Sequence, residues 1–207
     1  DNFFSFAKVI CISIEGDGIF LAYGTKVPWK TRIESFKRFS LEKDKPLSPD
    51  YLAAVVAKYI DAMKAAKAKA VLCIPKSWAI VQAVEFPIAV KENLTDVISY
   101  ELDRLTPLTP DNAYYDFKVI AEDQEKMSVL LAVARKDEID SYLEALRGKN
   151  VKIGKVGVST LAMRILLKST YKDTDAVFLS LGERAYEGGV IVNDLTVRSI
   201  SGEFKQT

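Results

Sequence analysis

Apolar and polar residues alternate in short bursts near the start of the chain, at residues 6–14 (FAKVICISI), 17–23 (DGIFLAY) and 32–40 (RIESFKRFS). A period of two sends successive side chains to opposite faces of a strand, so this pattern predicts three consecutive strands. The turn residues Glu15-Gly16-Asp17-Gly18 join the first two as a hairpin. The period then lengthens. Ser48, Pro49 and Asp50 supply an N-cap, a first-turn proline and an acidic first turn, and Leu52, Val55, Val56, Tyr59, Ile60 and Met63 recur at helical spacing. This helix runs into AVLCIP (70–75), a continuous apolar run that suits a buried parallel strand.

From Trp78 the order of elements changes. WAIVQAVEFP reads as a strand; Leu94, Val97, Ile98, Leu102 and Leu105 mark an amphipathic helix; AYYDFKVIA and MSVLLAVA read as two more strands. This strand-helix-strand-strand unit is expected to form an inserted α+β subdomain over 76–135. Asp137 is expected to cap a further helix that faces Ile139, Tyr142, Leu143 and Leu146 to the core, followed by the strand VKIGKVGV and a helix from Ser159. After Tyr171-Lys172-Asp173, residues 176–201 give a strand, a turn and two strands around Asn193-Asp194, echoing the layout of residues 7–40. An internal repeat of this kind, with a βββαβα unit duplicated, is the plan of actin and RNase H-like folds. The second copy is truncated.

Composition narrows the chemistry. With 49% hydrophobic and 28% charged residues over 207 positions, the chain can bury an ordinary core. Its 29 Lys and Arg nearly cancel 28 Asp and Glu, so no global field steers it to nucleic acid. The basic run Lys64–Lys69 alternates with alanine at what reads as a helix end, and a solvated face is expected there. No histidine occurs, which removes Ser-His-Asp and Cys-His nucleophile activation and every histidine-bearing metal site. Cys11 and Cys73 each sit inside an apolar run and are expected to be buried structural thiols. No stretch approaches the ~18 consecutive apolar residues of a membrane-spanning helix, so no direct membrane insertion is expected of these residues. The chain opens at Asp1 without a methionine and is expected to be an excerpt of a longer protein.

One stretch resembles a known family. Phe86-Pro87-Ile88-Ala89-Val90-Lys91-Glu92-Asn93-Leu94, Tyr100-Glu101-Leu102-Asp103-Arg104-Leu105-Thr106-Pro107-Leu108 and Asn112-Ala113-Tyr114-Tyr115-Asp116-Phe117 are similar to the PilM and secretion L proteins of type IV pilus and type II secretion machines. In those proteins a helix enters after a proline, ends in a charged, proline-containing turn and leads to a strand bearing Tyr and Asp. The topology around it is similar to that of the cell-division protein FtsA. The resemblance implies an α/β fold of actin-like (RNase H-like) architecture. A first lobe would use 1–75 and 136–172, with the insert at 76–135 and the start of a second lobe at 173–207. It also implies a noncatalytic scaffold on the cytoplasmic face of the inner membrane. The partners implied are the cytoplasmic tail of a bitopic PilN-like or secretion M-like protein and the hexameric assembly ATPase, with homodimerisation a further option. Two rival readings stand beside it: an actin-like ATP-dependent enzyme such as a sugar-kinase relative, and an FtsA-like filament former at the membrane.

Actin-like nucleotide sites use two hairpins whose first strands end in Asp-x-Gly, holding phosphates and orienting water around magnesium. The aligned positions here read Ile12-Ser13-Ile14-Glu15-Gly16-Asp17-Gly18 and Leu179-Ser180-Leu181-Gly182. Serine stands at the aspartate position in both hairpins, and Glu15 would put bulk and negative charge where phosphate should approach. Any residual nucleotide site would therefore rest on Gly16, Asp17, Gly18 and Gly182, with no catalytic residue and no metal ligand expected. ATP with magnesium is disfavoured, and the glycines are expected to serve turns at positive φ. Glu101 and Asp103 point about 200° apart on their helix and are expected to be solvated or to pair with Arg104. Candidate partner contacts are Trp29 in a predicted loop, Tyr100 and Arg104 on the insert's helix, and Pro107 in the semi-rigid turn that follows.

Overall fold

A computed structural model describes residues 7–16, 18–27, 30–41, 47–170, 175–182, 185–192 and 195–204. The regular elements run β1 (Ala7–Glu15), β2 (Gly18–Val27), β3 (Lys30–Ser40), α1 (Pro49–Ala62), β4 (Lys69–Ile74), β5 (Ala79–Pro87), α2 (Leu94–Leu105), β6 (Ala113–Glu122), β7 (Lys126–Arg135), α3 (Lys136–Gly148), β8 (Ile153–Val158), α4 (Ser159–Thr170), β9 (Ala176–Leu181), β10 (Ala185–Val192) and β11 (Leu195–Glu203). They divide into two compact units, one from 1–75, 138–159 and 182–184, the other from 76–137, 160–181 and 185–207.

The first unit holds a five-stranded sheet in the order β3-β2-β1-β4-β8, with β4 parallel to both β1 and β8 and the meander β1-β2-β3 antiparallel. Strand alternation sends Ile10, Ile12 and Ile14 of β1, Ile19 and Leu21 of β2, and Leu72 and Ile74 of β4 into one buried face. Helix α1 contributes Leu52, Ala53, Val56 and Tyr59 to the core, and α3 contributes Ile139, Tyr142 and Leu146. Two phenols tie helices to neighbouring backbone: Tyr59 donates to the Ser35 carbonyl at 3.2 Å and Tyr142 to that of Leu47 at 2.6 Å.

Helix ends account for two boundaries. The Ser48 hydroxyl accepts from the Tyr51 amide at 3.2 Å, the N-cap expected from the sequence. At the other end Lys64 turns left-handed at φ 51°, so residues 64–68 follow the helix as turns instead of extending it, and Lys69 opens β4. Asp137 does not stand ahead of α3 as expected: β7 runs straight into the helix at Lys136, and Asp137 lies inside its first turn, paired with Arg135 at 2.6 Å.

In the second unit β5, β7 and β6 form an antiparallel sheet covered by α2. Leu94, Ile98 and Leu102 of the helix pack with Phe86, Met127, Val129, Leu131 and Val133. A 3₁₀ stretch, Ile88–Asn93, precedes α2 and was not legible in the apolar spacing. The buried Thr106 closes the helix by donating to the Leu102 carbonyl at 2.9 Å, and the Gln82 amide donates to the Leu105 carbonyl at 2.9 Å. A second three-stranded antiparallel sheet, β11-β10-β9, repeats the meander of β1-β2-β3.

Two further expectations are corrected. Among the described residues no glycine has positive φ. Gly18 is required for space instead, because a Cβ there would lie 2.8 Å from the Phe39 carbonyl oxygen of β3. Cys11 and Cys73 are half-buried and lie on the sheet face opposite the core, since in VICISI the alternation assigns the interior to the isoleucines.

Candidate functional site

The first hairpin closes with Glu15 opposite Gly18 and Ser13 opposite Phe20. Cys11, Ser13 and Glu15 share the outer face of β1 and line a concave cleft of about 320 Å³ with Phe20, Ala22 and Phe36. The walls are mostly apolar, with one hydroxyl and one carboxylate among the polar groups. Arg38 stacks its guanidinium 5.5 Å over the Phe20 ring. Gly16 is exposed and Gly18 is buried beneath β3. Asp17 lies outside the described residues.

In the second hairpin Leu181 pairs with Tyr186 and Ser180 with Glu187. Glu187 accepts a 2.7 Å hydrogen bond from the Lys76 amide. Burial pulls the Lys76 ammonium below its usual range, while the Glu187 carboxylate opposes that shift. Gly182, just past β9, is exposed. Among the described residues no group of three or more His, Cys, Asp or Glu could hold a metal ion.

Of the four candidate contact residues, three lie close together in the chain at the end of the second unit's helix. Tyr100 is 84% exposed on α2. Arg104, one turn on, lies on the same helix face and pairs with Glu101 at 3.0 Å, so the expected helix-end ion pair is present. Exposed Pro107 follows in the turn held by Thr106, whose hydroxyl also accepts from the Leu108 amide at 3.2 Å. Trp29 lies outside the described residues. Sequence reasoning missed the contact between Cys11 and Cys73 and the cleft beside them; the signal was the strict alternation of VICISI, which puts Cys11 and Ser13 on the face away from the isoleucines.

The meander-plus-parallel-strand sheet, the insert before α3 and the second meander after α4 together make an actin-like fold. Residues 30–180 match the family described as type IV pilus assembly protein PilM, a span from β3 to β9 that includes the whole insert. The chain belongs to the PilM family. This PilM-family chain is similar to a chain of a PilM-PilN type IV pilus biogenesis complex, with TM-score 0.77 and 16% identity over 95% of this chain and 62% of that one. It is also similar to the cytoplasmic domain of EpsL, an inner-membrane component of the Vibrio cholerae type II secretion system, with TM-score 0.61 and 10% identity over 95% and 71% of the two chains. A segment of 65 residues is 35% identical to type II secretion system protein L of Xanthomonas campestris pv. campestris, covering 30% of this chain and 17% of that protein. The PilM-family chain thus spans less than two thirds of the first of these structures and a small part of the curated relative. Among its described residues no helix is long and apolar enough to cross a membrane.

Proposed function

We propose that this chain is a noncatalytic scaffold at the cytoplasmic face of the inner membrane in a type IV pilus or type II secretion assembly platform. It binds the cytoplasmic tail of a membrane-spanning partner and links it to the assembly ATPase. The observation that carries this reading is the PilM match through β3 to β9, supported by likeness to structures whose names place them in those two machines. The division into a first lobe (1–75 and 136–172), an insert (76–135) and the start of a second lobe (173–207) belongs to the same proposal.

The hairpins favour a scaffold over a nucleotide-hydrolysing enzyme. Serine stands at 13 and 180, the half-buried Glu15 carries a carboxylate into the first hairpin, and the space left by Gly18 is taken by the Phe39 carbonyl. A phosphate approaching that hairpin would meet a like charge in partly desolvated surroundings. The outer face of α2 and its turn, with Tyr100, Arg104 and Pro107, supplies an aromatic, a cation and a rigid backbone segment, the residue types that anchor partner chains.

The test of the noncatalytic half is calorimetric titration of the full-length protein with ATP and magnesium, alongside a phosphate-release assay. No heat of binding at millimolar ATP and no release above buffer are expected. Micromolar, magnesium-dependent binding would replace this reading with a nucleotide-switched scaffold or an enzyme.

A further inference from the structure

The outer face of the first sheet carries two thiols in contact. On β4, Val71 stands opposite Cys11 and Cys73 opposite Ser13, so the two cysteines occupy one face of adjacent parallel strands, offset by two positions. Both are half-buried, and their side chains are hydrogen-bonded to each other. That bond draws the Cys11 thiol down to about 7, against burial, which pushes it up. Strand spacing and rise place the two Cα atoms about 8 Å apart for this offset. A disulfide spans no more than about 7 Å without backbone movement. The sulfurs can therefore share a proton but do not close a bond with each other. Cys11 also lines the cleft with Phe20, Ala22 and Phe36, which leaves room for a substituent on its sulfur.

We propose that Cys11 is a modification site: a nucleophilic thiolate that attacks small disulfides and alkylating electrophiles, with Cys73 as the positioning residue that donates a hydrogen bond to it. With a low-molecular-weight disulfide the Cys11 thiolate attacks one sulfur, the S–S bond breaks, and the other sulfur leaves as thiolate with the electron pair. The product is a mixed disulfide on Cys11, and the small disulfide is the only oxidant consumed. The adduct sits in the cleft beside Ser13 and Glu15, at the first hairpin. By register the charged groups on the same sheet face are Glu15 of β1, Lys26 of β2, Arg38 of β3, Lys69 of β4 and Lys155 of β8. The Cys73 hydrogen bond, and not these charges, is what lowers the Cys11 thiol.

The experiment is labelling of the chain with N-ethylmaleimide from pH 6 to 9, read by intact mass and peptide mapping, followed by exposure to oxidised glutathione. One fast equivalent on Cys11 is expected, with its rate half-maximal near pH 7, and one glutathione moiety is expected on the same residue. Cys11→Ser removes the fast phase. Cys73→Ala moves the half-maximum up toward the ordinary thiol range of about 8.5, and Cys73→Ser, which keeps a donor, restores most of the shift. Circular dichroism checks that each variant folds; if Cys73→Ala does not, the wild-type pH profile and mapping still decide. Equal labelling of both cysteines with a midpoint near the ordinary value would overturn the proposal, as would a Cys11–Cys73 disulfide forming in place of the glutathione adduct.

Discussion

The meanders β1-β2-β3 and β9-β10-β11 share a pattern but not a fate. Ile10, Ile12 and Ile14 of β1 are 0%, 0% and 2% exposed, whereas Val177, Leu179 and Leu181 at the matching places on β9 are 79%, 57% and 66% exposed. In the first unit β1 is flanked by β2 and β4 and its inner face meets a core that includes α1. In the second, β9 is an edge strand, and among the described residues nothing covers its apolar side. Alternation therefore reports which face of a strand is built for burial, while the cover itself comes from elements that the strand's own sequence does not encode.

The largest expected effect tests that contrast directly. Ile12→Ala should cost about 3 kcal/mol, since a buried aliphatic truncation loses both transfer energy and packing. Leu179→Ala, at the matching place on the bare face, should change stability by no more than about 0.5 kcal/mol. Urea unfolding of the two variants measures the difference, and equal costs would break the comparison. Glycine substitutions sharpen it. Gly18→Ala drives a Cβ to 2.8 Å from Phe39 O, and Gly188→Ala drives one to 2.9 Å from Phe178 O, so each should cost about 1–3 kcal/mol. Gly157→Ala, with nothing within 4 Å, should be nearly neutral. If Gly188→Ala were also neutral, the second meander would be looser than the first within its own strands as well as bare on its face.

A smaller effect concerns the helix of the first unit. Ser48→Ala removes the N-cap of α1 and should cost about 1 kcal/mol by thermal or urea unfolding. Last comes a pH effect on the outer face, where Cys11 occupies the place that Phe178 holds in β9. Its folded pKa of about 7 lies below the ordinary thiol value, so between about pH 7 and 9 the unfolded chain binds more protons than the folded one. The contribution is present in full above the unfolded pKa and is lost as pH falls through 7. The stability of the wild type relative to Cys11→Ser should therefore rise between pH 7 and 9, by on the order of 1 kcal/mol, in paired urea titrations.

Much of the fold was legible because period and punctuation agree. Ser48-Pro49-Asp50 followed by an apolar stripe gave α1, and FAKVICISI, DGIFLAY and RIESFKRFS gave three strands in their observed order. What failed depended on neighbours distant in sequence. Gly18 is a glycine because β3 passes close to it, a fact carried by Phe39 and not by turn geometry. Asp137 looked like a cap, yet β7 runs directly into α3 at Lys136, so the extended position before the helix falls on Arg135 and Asp137 sits in the first turn with its carboxylate paired to Arg135. The cysteines were assigned to the core by composition of the run, although its alternation already put them outside. At the candidate contact surface, Tyr100 and Arg104 could be placed on one helix face from their spacing of four, while the hold that Thr106 exerts on the turn at Pro107 required the folded backbone.

The most direct test of the proposed scaffold role is titration of this chain with the cytoplasmic tail of the PilN-like or secretion M-like protein from the same machine, as a synthetic peptide, by calorimetry. The account predicts one-to-one binding in the micromolar range, about −8 kcal/mol, weakened at least tenfold by the exposed double substitution Tyr100→Ala with Arg104→Glu while the unfolding midpoint stays put. No binding at several hundred micromolar peptide, from a chain shown to be folded, would contradict it.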